Sequence, residues 1–291
     1  MRPRRAPIER REIYCHTQVT PMSDLSLPQE PLLAARVDSR VRAGTAFARA
    51  LPGVLSFVLV GGLAAAHGGY FPTSWGWTAV ALSWVAAIAL VLRPRLVFGR
   101  AERALIVSLL GLTGWIALSA LWSASVPRTA LEVERTLVYV AATLALLALA
   151  RRDSASKLLG GALAGTTLAA GYGLATRLLP ERFANAPDSI GGYRLSEPIG
   201  YWNALGVFAA MGAVLALGFV ARGRALAVRA LAAASLVVLL PTLYFTFSRG
   251  GWLALLAGVV AALALDPRRL QLLTAMLVVL PAPALAVWLG S

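Results

Sequence analysis

The sequence predicts an all-α fold: a polytopic transmembrane bundle of about nine helices. Three observations carry that expectation. Mean hydropathy is +0.72, 58% of residues are hydrophobic and only 14% are charged, where soluble domains carry about a quarter charged residues. The apolar residues fall in long runs, most of them close to the ~20 residues that cross a bilayer at about 1.5 Å per residue. Short arginine-rich connectors separate the runs. Their length, and the absence of period-two alternation, exclude membrane strands.

Residues 1–49 are polar and basic, and Pro3, Pro7, Pro21, Pro28 and Pro31 interrupt any pattern. They are expected to form a mostly disordered cytoplasmic tail. The tail delays the first apolar run too long for a cleaved signal peptide, and Met22 stands beside Met1 as a candidate start. Residues 50–291 are expected to form the bundle, with residues 190–291 bearing its motifs. The runs are Leu51 to Ala66, Trp75 to Leu92, Ala104 to Trp122, Leu137 to Ala150, Leu158 to Leu179, Tyr201 to Val220, Ala230 to Phe247, Trp252 to Leu265 and Leu270 to Leu289. The fourth and eighth are short, so they are expected to borrow flanking residues or tilt less. Gly160-Gly-Ala-Leu-Ala-Gly165 reads as a helix-packing face.

Loop charge sets the expected orientation. With the tail inside, the cytoplasmic loops carry Arg93, Arg95, Arg100 and Arg103, then Arg151, Arg152 and Lys157, then Arg222, Arg224 and Arg229, then Arg268 and Arg269, against Glu102, Asp153 and Asp266. The opposite loops are nearly balanced: Arg128, Arg135, Arg177, Arg182, Arg194 and Arg249 face Glu132, Glu134, Glu181, Asp188 and Glu197. This is the positive-inside pattern, with Trp75, Trp77, Trp122, Trp252 and Trp288 as expected interfacial anchors. The high isoelectric point, near 11.3, is therefore an orientation signal and no nucleic-acid partner is expected. Cys15 is the only cysteine, which excludes an intrachain disulfide or a cysteine-rich metal site. No phosphate-loop, zinc or nucleotide motif is present, so neither metal nor cofactor is expected.

Outward arginines need a separate reason, because the orientation rule disfavours them. Arg194 lies in Gly191-Gly-Tyr-Arg-Leu-Ser-Glu-Pro-Ile-Gly-Tyr-Trp-Asn-Ala-Leu-Gly206, just before the sixth run; Arg249 lies in Tyr244-Phe-Thr-Phe-Ser-Arg-Gly-Gly-Trp252, just before the eighth. Both helices begin on that face and present free N–H groups and a positive dipole end. A guanidinium beside such an end suits an anion, and a diphosphate at headgroup level fits best. Ser248 is expected to cap the eighth helix, and Gly250 and Gly251 to let backbone approach a ligand. Asn203, near the start of a membrane helix, must find partners in a ligand or in a neighbouring helix. Trp202 is a candidate for sugar stacking, although Tyr201 and Trp202 also suit the interface. His67 reads as a solvated loop histidine, and Glu132, Glu134 and Arg135, placed in the loop before the fourth helix, as a mutually paired group.

The segments Arg-Leu-Ser-x-Pro-x-Gly-Tyr-Trp-Asn-Ala-Leu-Gly (194–206) and Thr-Phe-Ser-Arg-Gly-Gly-Trp-Leu-Ala (246–254) resemble the O-antigen ligase and polymerase superfamily. So does Ala120-Leu-Trp-Ser-Ala-Ser-Val-Pro127. The resemblance implies a multi-pass glycosyltransferase of the bacterial inner membrane. Such enzymes use no metal or nucleotide, and move a glycan from an undecaprenyl-diphosphate carrier to an acceptor glycan or lipid on the outer face. It implies that Arg194 and Arg249 hold the diphosphate, with Asn203, Ser248 and Trp202 in the same site. The family's histidine-bearing external loop would lie beyond Ser291, so the chain is expected to be a fragment lacking the catalytic histidine. The rival class is a transporter or flippase of lipid-linked or small polar cargo, in which charged or broken segments sit at mid-membrane. Here Pro241 and Pro281 are the clearest interior breaks.

Overall fold

The computed structural model describes residues 50–92, 99–149, 154–183 and 194–290. The expected tail at 1–49 lies outside the described residues, as do Asp188 and the Gly191-Gly-Tyr193 start of the first motif segment. Every regular element among the described residues is helical: α1 (Ala50–Ala65), a 3-10 turn (His67–Gly69), α2 (Pro72–Leu92), α3 (Arg100–Ser119), α4 (Val126–Leu149), α5 (Ala155–Leu178), α6 (Trp202–Arg222), α7 (Leu226–Phe245), α8 (Arg249–Leu265), α9 (Arg269–Val279) and α10 (Pro281–Gly290). Six spans are long and apolar enough to cross a membrane, and α9 with α10 forms one of them. This is the architecture of a multi-pass membrane protein.

Side-chain size sorts inward and outward. In α6 the buried face is Gly206, Ala209, Ala210, Ala213, Ala216 and Leu217, a 3.6-residue stripe dominated by small residues. Large aliphatic side chains such as Met211, Leu253, Leu256 and Leu265 face outward. Lipid is as apolar as leucine, so burying leucine gains little and close backbone packing gains more. One cluster joins α1, α2 and α4 around Leu82, Ala86, Val138 and Ala145. Another joins α5 to α9 around Ala170, Ala213, Leu236, Leu239 and Leu272. α3 packs on α4, and α10 on α7 and α9.

The packing face predicted at Gly160 to Gly165 seats α1. A Cβ on Gly161 would lie 2.0 Å from the Gly53 carbonyl oxygen, and one on Gly165 would lie 3.0 Å from both the Gly61 nitrogen and the Phe57 oxygen. Two glycines one turn apart therefore let two backbones touch, which no other residue allows. Thr242 adds a polar tie between α5 and α7, its hydroxyl sharing the Val238 carbonyl (2.8 Å) and the Ala170 carbonyl (3.2 Å).

Three expectations are corrected. The fourth helix starts at Val126, so Glu132, Glu134 and Arg135 sit inside α4 and not in a loop. Ser123 secures that start, accepting from the Ser125 N–H (3.2 Å) and the Thr129 hydroxyl (2.8 Å). The anticipated pairing survives as Arg135–Glu132 at 3.8 Å, an exposed contact one turn apart. Its contribution is a few tenths of a kcal/mol at most. The ninth run is two helices, because Pro281 and Pro283 offer no N–H at the α9–α10 joint. Trp75 is no interfacial anchor: α2 begins at Pro72, which turns Trp75 into the α1–α2–α4 core, where it is 8% exposed.

Candidate functional site

The two motif segments meet through a side-chain relay at one end of the bundle. Gly200, at φ +84°, turns the chain, and Tyr201 leads in extended conformation into α6. A residue with a Cβ is strained at that positive φ, so glycine belongs there. Ser248 is the N-cap of α8, as expected, its Oγ accepting from the Gly251 N–H at 3.0 Å. The same hydroxyl donates to Asn203 Oδ1 at 2.9 Å. Asn203 Nδ2 in turn donates to the Tyr201 hydroxyl at 2.7 Å. The N-termini of α6 and α8 are thereby locked together. Asn203 has protein partners at both ends of its amide, so its membrane-embedded polarity is satisfied without a ligand.

Packing holds the relay in place. Ser248 is 1% exposed and Thr246 fully buried; Thr246 Oγ1 accepts from the Ser248 N–H at 3.3 Å and donates to the Leu243 carbonyl at 2.6 Å. A Cβ on Gly206 would stand 2.8 Å from Ser248 Cβ, and one on Gly251 would stand 3.0 Å from the Gly206 carbonyl carbon. Gly251 thus serves the α6–α8 contact, not the ligand approach expected of it. Gly250 is exposed and fits that expectation better.

The segment before α6 is clamped on three sides. The Leu195 N–H donates to the Phe245 carbonyl at 2.9 Å. A Cβ on Gly173 of α5 would collide with the Glu197 carbonyl oxygen at 2.2 Å, and one on Gly68 would touch Ile199 at 3.0 Å. His67 comes with that turn. Its Nδ1 lies 3.5 Å from where a Gly200 Cβ would stand, so this exposed histidine backs onto the motif segment rather than standing apart in a loop.

Arginines ring this end. Arg194 is exposed, its guanidinium carbon 5.2 Å from the centre of the Trp202 ring, a cation–π distance. Trp202 therefore supports Arg194 before it supports any sugar. Arg249 is exposed at the first position of α8. Neither guanidinium has an acidic partner among the described residues. Arg177, in the last turn of α5, lies 4.6 Å from the Phe245 ring centre and brings a third cation to the same end. Sequence reasoning passed over it, because a cation closing a helix already has a sufficient explanation in the helix dipole. Its presence among the outward charges was the signal.

Ser248→Ala is expected to cost about 1–2 kcal/mol, from a lost N-cap and an Asn203 oxygen left without its donor. Thermal unfolding in detergent measures the loss, and Ser248→Thr, which keeps the hydroxyl, should recover most of it. Protein-family models, curated proteins and solved structures offer no match to this chain.

Proposed function

We propose that the chain is a glycosyltransferase of the O-antigen ligase type that holds an undecaprenyl-diphosphate-linked glycan at the Arg194–Arg249 end. Support comes from one observation: two exposed arginines with no acidic partner among the described residues flank helix N-termini that the Ser248–Asn203 bond ties together. The N-terminal dipole ends of α6 and α8 add to the attraction of these cations for phosphate. When the bond between the sugar and the carrier oxygen breaks, negative charge grows on the departing diphosphate. Guanidinium N–H groups fixed at that position stabilise the charge as it forms. The acceptor, a glycan or lipid hydroxyl on the outer side of the membrane, bonds to the sugar as the bond to the carrier oxygen breaks, and its proton leaves with the departing diphosphate. α7 runs unbroken through Pro241 from Leu226 to Phe245, which removes one of the two interior breaks a transporter would use, whereas the last span does divide at Pro281.

Binding of undecaprenyl diphosphate to the purified protein tests the site. Arg249→Lys and Arg194→Ala are each expected to weaken it about tenfold, since lysine keeps the charge but not the planar fork. Undecaprenol, without phosphate, is expected to bind neither form. Equal affinity for the diphosphate in wild type and both variants would reject the site.

The orientation belongs to the same proposal: the bacterial inner membrane, the N-terminus cytoplasmic and the Arg194 end external. Reporter fusions at Tyr70, Ser125, Ile190 and Gly290 are then expected to read external, and those at Val97, Ser154, Ala225 and Pro267 cytoplasmic. A cytoplasmic signal at Ile190 puts the arginines on the wrong side for an external acceptor.

A further inference from the structure

A large cavity among the described residues lies away from the arginine site. It is a crevice of about 1290 Å³ between α5, α6 and the start of α7, with α8 closing its far wall. Its apolar floor follows one stripe of α6, through Met211, Val214, Leu215 and Gly218 to Arg222. At about 1.5 Å per residue the stripe runs roughly 10 Å from Met211 to Gly218 and roughly 16 Å to Arg222, comparable with the ~15 Å hydrocarbon depth of one leaflet. Gly218 opens the floor: nothing stands within 4 Å of where its Cβ would be. Small-residue positions elsewhere on α6 are filled by neighbours, as Gly212 is by Thr166 and Leu239. Here the space is left empty.

Charge is confined to one end of the crevice. Lys157 from the start of α5, Arg222 from the end of α6 and Arg224 from the α6–α7 link all line it. Among the described residues no acid lines the crevice, and Asp266, which accepts from the Arg268 N–H at 2.7 Å, bonds one of these three cations, Arg222. A long apolar trough ending in a cationic rim is complementary to an amphiphile with an anionic head.

We propose that this crevice is a specific site for an anionic phospholipid of the surrounding bilayer, one acyl chain along the Met211–Gly218 stripe and its phosphate among Lys157, Arg222 and Arg224. Its charged rim, at the start of α5 and the end of α6, lies at the ends of those helices opposite the Arg194–Arg249 site. A bound lipid there would brace α5 against α6 and α8, making the stability of the bundle depend on headgroup charge.

The test uses the full chain in detergent, titrated with phosphatidylglycerol or phosphatidylcholine, with bound lipid counted by native mass spectrometry and stability by thermal unfolding. Phosphatidylglycerol is expected to bind and raise the unfolding temperature, and phosphatidylcholine to do neither. Gly218→Trp starts into open space, nothing lying within 4 Å of its Cβ, and fills the trough, so it should abolish retained lipid while leaving the lipid-free unfolding temperature unchanged. Arg224→Gln should weaken phosphatidylglycerol about fivefold, equivalent to the ~1 kcal/mol of one basic residue at an anionic surface. Equal protection by both lipids overturns the proposal, as does unchanged phosphatidylglycerol binding in Gly218→Trp. A dimer that Gly218→Trp dissolves also overturns it, assigning the crevice to a second copy. Should Gly218→Trp prove unstable, Arg224→Gln decides alone, and unaltered affinity there rejects the site.

Discussion

Gly161→Leu is expected to detach α1 from α5 and to cost the protein more stability than any change at its arginines. The Cβ alone would lie 2.0 Å from the Gly53 carbonyl oxygen, and its neighbour is backbone, which cannot rotate away. Relief requires the two helices to separate, which opens the Gly61–Gly165 contact two turns past Gly53 on α1 and one turn past Gly161 on α5. Overpacking a core costs about 1–3 kcal/mol when side chains can shift; a backbone clash at a glycine seam belongs at or above the top of that range. Lipid would fill the gap, so the loss is of packing and not of hydrophobic burial. The expected readout is a lower unfolding temperature in detergent and new protease cleavage in the α1–α2 turn. Gly62→Leu, where nothing lies within 4 Å, is the control and should behave as wild type. If both variants unfold alike, the seam is not what holds α1.

How much of this was legible in advance follows from the range of each interaction. Helix positions were local, since run length and hydropathy set them, and the seam could be read from glycines four residues apart. The start of α4 was hidden because Arg128, Glu132, Glu134 and Arg135 lower its hydropathy, although Val126-Pro127 after a serine turn is a good helix entry. Trp75 misled because a tryptophan near a helix end reads the same whether it faces headgroups or a partner helix. The motif residues Arg194, Asn203, Ser248 and Arg249 stood out as polar groups at membrane-helix ends. Their division of labour did not. The Asn203–Ser248 bond spans 45 positions, and no periodicity carries that information. The lipid-sized crevice was invisible for a related reason: a glycine such as Gly218 looks the same in sequence whether its space is filled by another helix or left open.

Gly206→Val separates support of the candidate site from direct binding within it. Gly206 lies on α6 one turn after Asn203, and a Cβ there would press on Ser248 Cβ at 2.8 Å and Thr246 Oγ1 at 3.0 Å. Both neighbours are buried and hydrogen-bonded, so neither can rotate aside without breaking the relay. Valine must push α8 away from α6, parting Ser248 from Asn203 and moving Arg249 off its position beside the α6 N-terminus. The expected result is a loss of both properties: a fall in stability of about 3 kcal/mol and a loss of undecaprenyl-diphosphate binding. Arg194→Ala and Arg249→Lys should instead reduce binding with the unfolding temperature unchanged, because both side chains are exposed and no acid among the described residues pairs with them. Asn203→Ala is the intermediate case. It removes the link but not the helix contact, so it should lower stability by about 1 kcal/mol, as interhelical hydrogen bonds in membranes do, with binding reduced only as far as Arg249 is displaced. Stability and binding are measured on the same detergent-purified samples. A Gly206→Val protein that unfolds early yet binds the diphosphate as well as wild type would show that the joined helix ends do not build the anion site.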